Sequence, residues 1–181
     1  MIRKLLAITV LFLMSISSIH AAEVTLAWDA NTDPRVTSYK LYYGTASRVY
    51  GPGVDTGKVT QFTLTGIAEG KNVFFAVTAV DGTDNLESDF SIELPCWTLI
   101  PSVVGSGTIT PAMTKVVSSV TPLTFTITPN AGNQIKDVAV DGISVGKVTT
   151  YAFTNVSTSH TIKATFETIP AVTPVTGLKI K

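Results

Sequence analysis

Val73-Phe74-Phe75-Ala76-Val77-Thr78-Ala79-Val80-Asp81-Gly82 decides the fold. Alternation puts Val73, Phe75, Val77 and Ala79 on one face and Phe74, Ala76, Thr78 and Val80 on the other, so both faces are apolar. A strand of that kind lies inside a sheet and is covered on both sides. Asp81-Gly82 then supplies a turn. Upstream, Val24, Leu26 and Trp28 alternate with Thr25 and Ala27 and stop at the turn-rich Asn31 to Pro34. Tyr39, Leu41 and Tyr43 form a second run that ends at Gly44, and Phe62 and Leu64 centre a third. Downstream, Asp89 to Leu94 reads as a short closing strand. Several short strands spaced by turns imply a two-sheet sandwich.

Past Pro95 the pattern starts again. Trp97 opens a new strand after a short linker, and Gly105 to Pro111 is a turn leading into another. Leu123, Phe125 and Ile127 alternate with Thr124, Thr126 and Thr128, a clear period of two. Val138 to Val140 runs into Asp141-Gly142, a strong hairpin signal, and returns through Ile143 to Val145. Tyr151 and Phe153 mark a further strand, and Ile162, Ala164 and Phe166 the last. No segment keeps a helical period, so the fold class is all-β.

The N-terminus has a different character. Arg3 and Lys4 precede an apolar run from Leu5 to Met14, then serines, then Ala21 and Ala22. That is the form of a signal peptide over residues 1–22, cleaved after Ala21 or Ala22. The apolar run is about half of the roughly 20 residues that a spanning helix needs, so no transmembrane helix is expected after cleavage; an uncleaved anchor is the alternative. The expected location is therefore secreted, extracellular or in the cell envelope.

Of the 13 basic residues, 11 remain after Arg3 and Lys4 are removed, against 13 acidic ones. The mature chain is near −2 and has no basic stripe to neutralise phosphates, so nucleic acid is not an expected partner. Glu23 to Leu94 carries ten acids and five bases, whereas Pro95 to Glu167 carries three acids and four bases. This shift points to two separately built units, 23–94 and 95–168, with 169–181 as a C-terminal tail. Cys96 is the only cysteine, so no intrachain disulfide forms. It reads as a buried, inert thiol near the junction, with an intermolecular disulfide or acylation as the alternatives.

Both units resemble known families. Val24-Thr-Leu-Ala-Trp28-Asp, Ser38-Tyr-Lys-Leu-Tyr-Tyr43-Gly44, Leu64-Thr-Gly-Ile-Ala-Glu-Gly70, Phe75-Ala-Val-Thr-Ala79-Val-Asp81 and Glu87-Ser-Asp-Phe-Ser91 are similar, in order and spacing, to strands B, C, E, F and G of a bacterial fibronectin type III domain. The resemblance implies an immunoglobulin-like sandwich with Trp28 at the centre of its core. Val73 stands where that family usually has a corner tyrosine. The family's strand A has no counterpart before Val24, which leaves an edge unpaired or covered by another segment. The second unit, Trp97 to Glu167, resembles the divergent internalin-type B-repeat through Gly105-Ser-Gly-Thr-Ile-Thr-Pro111, Phe125-Thr-Ile-Thr-Pro129-Asn-Ala-Gly132, Val140-Asp-Gly142 and His160-Thr-Ile-Lys-Ala-Thr-Phe166. Asn133 departs from the aromatic that this family tends to carry. The resemblance implies an extracellular spacer or adhesive module.

Catalytic chemistry has little to work with. His160 is the sole histidine outside the leader; one histidine makes no multi-histidine metal site, and a hydroxyl–imidazole–carboxylate set would need distant residues to meet. A turn or capping role is the expected one, and the chain is read as no enzyme, with no cofactor. Asp81, Asp84, Asn85, Glu87 and Asp89 place hard oxygen ligands close together, as Ca²⁺ requires, though without the glycine-centred order of an EF-hand; a solvated loop is the plainer reading. Tyr39, Tyr42, Tyr43 and Tyr50 form an aromatic cluster from which alternation turns Tyr42 away, so Tyr42 and Tyr50 are the candidate binding surface for sugar rings. Core packing accounts for them equally well. In the tail, Pro174-Val-Thr-Gly-Leu-Lys-Ile-Lys181 resembles an opening fibronectin type III strand, with Val175, Leu178 and Ile180 as its apolar positions. It is a candidate for the missing strand, in cis or on a neighbouring molecule. The expectation is a non-catalytic binding or adhesion module whose partner is a protein or polysaccharide at the cell surface. A structural part of an extracellular assembly, or an accessory subunit of a secreted hydrolase, is the alternative.

Overall fold

The computed structural model describes residues 22–84 and 86–171. Residues 1–21, where a signal peptide is expected, Asn85 and residues 172–181, with Val175, Leu178 and Ile180, lie outside the described residues. All elements among the described residues are β-strands. The fold is a two-layer β-sandwich continued by a second small β-rich unit.

The first unit comprises β1 (Ala22–Ala27), β2 (Val36–Gly44), β3 (Val54–Gly57), β4 (Gln61–Ile67), β5 (Val73–Asp81) and β6 (Leu86–Glu87). Antiparallel β1 and β4 form one layer, with Val24 opposite Leu64 and Leu26 opposite Phe62. The other layer runs β3-β2-β5-β6, with Tyr39 opposite Ala79 and Tyr43 opposite Phe75. Leu26, Leu41, Leu64, Ile67 and Phe75 fill the space between them. Ala22, expected at the cleavage boundary, is the first residue of β1, 2% exposed and opposite Ile67.

The second unit starts without a linker. β7 (Leu94–Val104) holds Pro95, Cys96 and Trp97 in one continuous strand, so Trp97 does not open a new one. Its first residues extend the first unit, with Cys96 opposite Val73 and Leu94 opposite Phe75. Its later residues lie in the second unit, where Leu99 to Val104 pair in parallel with His160 to Thr165. Here one layer contains β7, β11 (Asn133–Val140), β12 (Ile143–Gly146) and β14 (His160–Thr168), and the other β8 (Gly107–Thr110), β10 (Leu123–Pro129) and β13 (Thr150–Phe153). The expected period of two fills this core: Phe125 and Ile127 point inward from β10, Ile162, Ala164 and Phe166 from β14. Asp141 and Gly142, at φ 50° and 80°, make the two-residue turn between β11 and β12, and Val140 faces Ile143 across it.

The closing strand differs from the expectation. Residues 88–93 form no strand; two serines hold this stretch to β5 instead. The Ser88 and Ser91 N–H groups donate to the Ala79 and Val77 carbonyls, each at 2.9 Å. Their hydroxyls accept from the Ala79 and Val77 N–H groups at 3.0 and 3.1 Å. The serine side chains thus take the place of ladder carbonyls along the β5 edge.

β9 (Lys115–Ser118) joins the units: it pairs antiparallel with β7, and Lys115 meets Glu23 of β1 in parallel. Side chains add to the joint. Thr98, fully buried, accepts from the Gly70 N–H at 2.9 Å and donates to Ser159 at 3.1 Å, and Ser159 donates to the Lys71 carbonyl at 3.2 Å. Thr114 donates to the Glu69 carboxylate across the same seam.

Candidate functional site

The expected aromatic surface does assemble, with an addition. β2 alternation sends Tyr39 and Leu41 into the core and Lys40 and Tyr42 to the outer face. There Tyr42 lies opposite Ala76, a small residue that leaves room for a ring. Tyr50, from the loop after β2, comes to 6.4 Å from Tyr42, and Phe90 to 5.0 Å from Tyr42 and 5.1 Å from Tyr50. The rings meet edge to face, at 87° and 61° for Phe90, so they form a cradle and not a flat row. Gly53 is required beneath it: a Cβ there would lie 2.5 Å from the Tyr42 ring.

Polar groups fix the cradle. The Glu87 carboxylate accepts from the Tyr42 hydroxyl at 2.6 Å, from Thr78 at 3.0 Å, and from the Lys40 ammonium. Lys40 first, then Tyr42, hold the Glu87 carboxyl below its usual range, and the same Glu87 bond raises the Tyr42 phenol. Glu93 accepts from Ser47 at 2.7 Å and from the Arg48 N–H at 2.9 Å. Burial, followed by the charge of Glu93, raises the Tyr50 phenol. Beside the rings is an open hollow of about 440 Å³, lined by Arg48, Tyr50, Asp89, Phe90, Ile92 and Glu93. Phe90 is 52% exposed and was not among the expected site residues. The Ser88-Asp89-Phe90-Ser91 spacing is the signal that could have found it, because both serines bond to β5 and fix the stretch between them.

The acidic stretch does not converge. Glu87 is turned toward Lys40, Tyr42 and Thr78, while Asp81 lies 3.4 Å from Arg35 and accepts from the Thr83 N–H. Among the described residues, no group of three His, Cys, Asp or Glu side chains could hold a metal ion. Separate partners thus hold Asp81 and Glu87, which adjacency in sequence had placed in one ligand set.

Trp28 is not the centre of the core either. It is half-buried at the end of β1, edge-on to Tyr39 at 5.8 Å, and its indole N–H is buried without an acceptor among the described residues. No described strand lies outside it to complete its cover. Trp28 instead lines two hollows, of about 320 and 200 Å³, between β1 and residues 88–94.

His160 does meet a carboxylate and a hydroxyl. Its Nδ1 is 2.6 Å from Asp141 and its Nε2 3.3 Å from Thr158, and its ring stacks on Phe153 at 5.4 Å. Asp141 also accepts from the Thr161 N–H at 2.8 Å. Burial raises the Asp141 carboxyl, but the Thr161 N–H and His160 outweigh it and hold the group below its usual range. These bonds clamp the β11–β12 turn to the start of β14, the turn role expected for His160. Cys96 is buried, and desolvation pushes its thiol up to about 11.

Fold and surface together define an all-β chain of two sandwich-like units that carries an exposed aromatic cradle. The chain is similar to Chitinase A1 of Niallia circulans, with 30% identity over 149 residues. That match takes in 81% of this chain but only 20% of the chitinase, so the chain spans about a fifth of that relative. Among solved structures, the central fibronectin-III array of RIM-binding protein is similar at 15% identity, over 83% of this chain and 56% of that one, with a TM-score of 0.31. No family model matches the chain, and the resemblance of the second unit to the internalin-type B-repeat has no counterpart in these comparisons. No helix among the described residues is long and apolar enough to cross a membrane.

Proposed function

We propose that the chain is a non-catalytic accessory module of an exported, glycan-directed system, and that it holds polysaccharide in the Tyr42–Tyr50–Phe90 cradle. The carrying observation is the convergence of three rings from separate parts of the chain onto one exposed face, beside a hollow with both charged and apolar lining. Sugar rings stack their C–H faces on aromatic surfaces, and Arg48, Asp89 and Glu93 offer donors and acceptors to hydroxyls at the rim. Similarity to a chitinase over a fifth of that enzyme supports a role beside polysaccharide chemistry and makes chitin the first ligand to try. The leader-like N-terminus supports export.

Sedimentation with insoluble chitin, and with cellulose in parallel, tests the reading. The wild-type chain is expected in the chitin pellet, and Tyr50→Ala/Phe90→Ala in the supernatant with its melting temperature lowered only slightly. Equal retention of the double variant, or no retention on either polymer, refutes the cradle as a glycan site.

A further inference from the structure

A second hollow adjoins the cradle. It holds about 430 Å³ at one end of the first unit, where Tyr43 and Gly44 of β2, Gly66 and Ile67 of β4 and Val73 of β5 come together. The loop after β2 supplies the rest of its wall through Val49 and Tyr50. Gly44 lets that loop fold back on β2, because a Cβ there would overlap the Val49 carbonyl. The Gly51 N–H donates to the Tyr43 carbonyl at 2.9 Å, and Ala46 is bridged to Val49. Glu93 holds Ser47 and the Arg48 N–H from the other side. The loop is thus fixed at both ends, yet Val49 is 65% exposed.

Tyr50 lines both this hollow and the one beside Phe90. The two differ in chemistry. Arg48, Asp89 and Glu93 line the first, whereas the second has no charged residue in its lining among the described residues; its polar side chains are those of Tyr43, Thr45 and Tyr50. An ionic group placed there would lose water and gain no counter-charge. A neutral ligand with C–H faces and hydroxyls would meet apolar wall and phenol or threonine hydroxyls together. A polysaccharide held in the cradle also continues beyond it. The sugar rings on either side of the one held must lie on neighbouring surface, and past Tyr50 the second hollow is such a surface.

We propose that the hollow bounded by Tyr43 and Val49 is a second subsite for a neutral glycan, so that successive parts of one chain lie across Tyr50 and long chains are held in preference to short fragments. The proposal rests on the cradle as a glycan site. Calorimetric titration with the di- and hexasaccharide fragments of chitin separates the two. The hexasaccharide should bind the wild-type protein about tenfold more tightly than the disaccharide, because its second contact is intramolecular. Tyr43→Ala should bring the hexasaccharide down toward the disaccharide affinity and leave the disaccharide affinity in place. Val49→Asp, at the exposed rim, should do the same with an unchanged melting temperature. Equal affinity for both lengths, or a hexasaccharide gain that survives both variants, overturns the second subsite and leaves the cradle standing; a wild-type protein that binds neither fragment overturns both.

Discussion

Phe125→Ala tests whether the two units stand or fall together. Phe125 has 0% exposure at the centre of the second unit, edge-on to Phe153 at 5.9 Å. Truncating a fully buried phenylalanine costs about 3–5 kcal/mol, from lost transfer energy and the cavity left behind. At about 2–4 °C per kcal/mol for a domain of this size, the melting temperature should fall by about 6–20 °C. The informative point is where the fall appears. β7 belongs to both units, β9 reaches back to β1, and Thr98, Ser159 and Gly70 are bonded across the seam. Loss of the second core should therefore pull β7 away from β5 and open the first. Trp28 reports the first unit and Trp97 the seam. Thermal unfolding followed by fluorescence in Trp97→Phe and Trp28→Phe backgrounds should give coincident transitions that shift together when Phe125→Ala is added. A Trp28 transition that stays in place while that of Trp97 falls would refute the coupling and make the units independent.

Two other outcomes follow from the charges and the thiol. The depressed carboxyl of Asp141 gives stability that is fully present above its unfolded value near 4 and is lost as pH falls through the lower folded value; because its side chain is 45% exposed and solvent screens it, Asp141→Asn should lower the denaturant midpoint at pH 7 only modestly and flatten the acid limb of a midpoint-versus-pH profile. Cys96, 3% exposed with its thiol pushed up to about 11, should resist a thiol reagent at pH 8 in the native chain and react within seconds in denaturant; rapid native labelling would contradict its burial.

Local alternation was enough to locate most strands, because a side-chain period of two shows directly which residues a sheet can bury. β5, β10 and β14 appear where their apolar runs are, and the Asp141-Gly142 turn where its φ requirements place it. The pairing of Tyr42 with Tyr50 as a surface was also legible, since alternation separates Tyr42 from Tyr39. What was not legible rests on contacts between distant residues. Phe90 enters the cradle only because two serine hydroxyls replace carbonyls on the β5 edge. Asp81 and Glu87 turn to different partners because Arg35 comes from the turn before β2 and Lys40 from β2 itself.

The sequence by itself determined an all-β chain, the position along the chain of most strands and their inward and outward faces, because these follow from periodicity within a few residues. Tertiary structure alone decided that Pro95 is not a linker, since β7 finds partners on both sides of it, β5 before and β14 after. It alone decided that Trp28 sits beside a slot, because that depends on which strands flank β1 in space. It alone decided the relative directions of β1, β7, β9 and β14. Those directions are properties of hydrogen-bond pairing between remote segments, which no local pattern encodes.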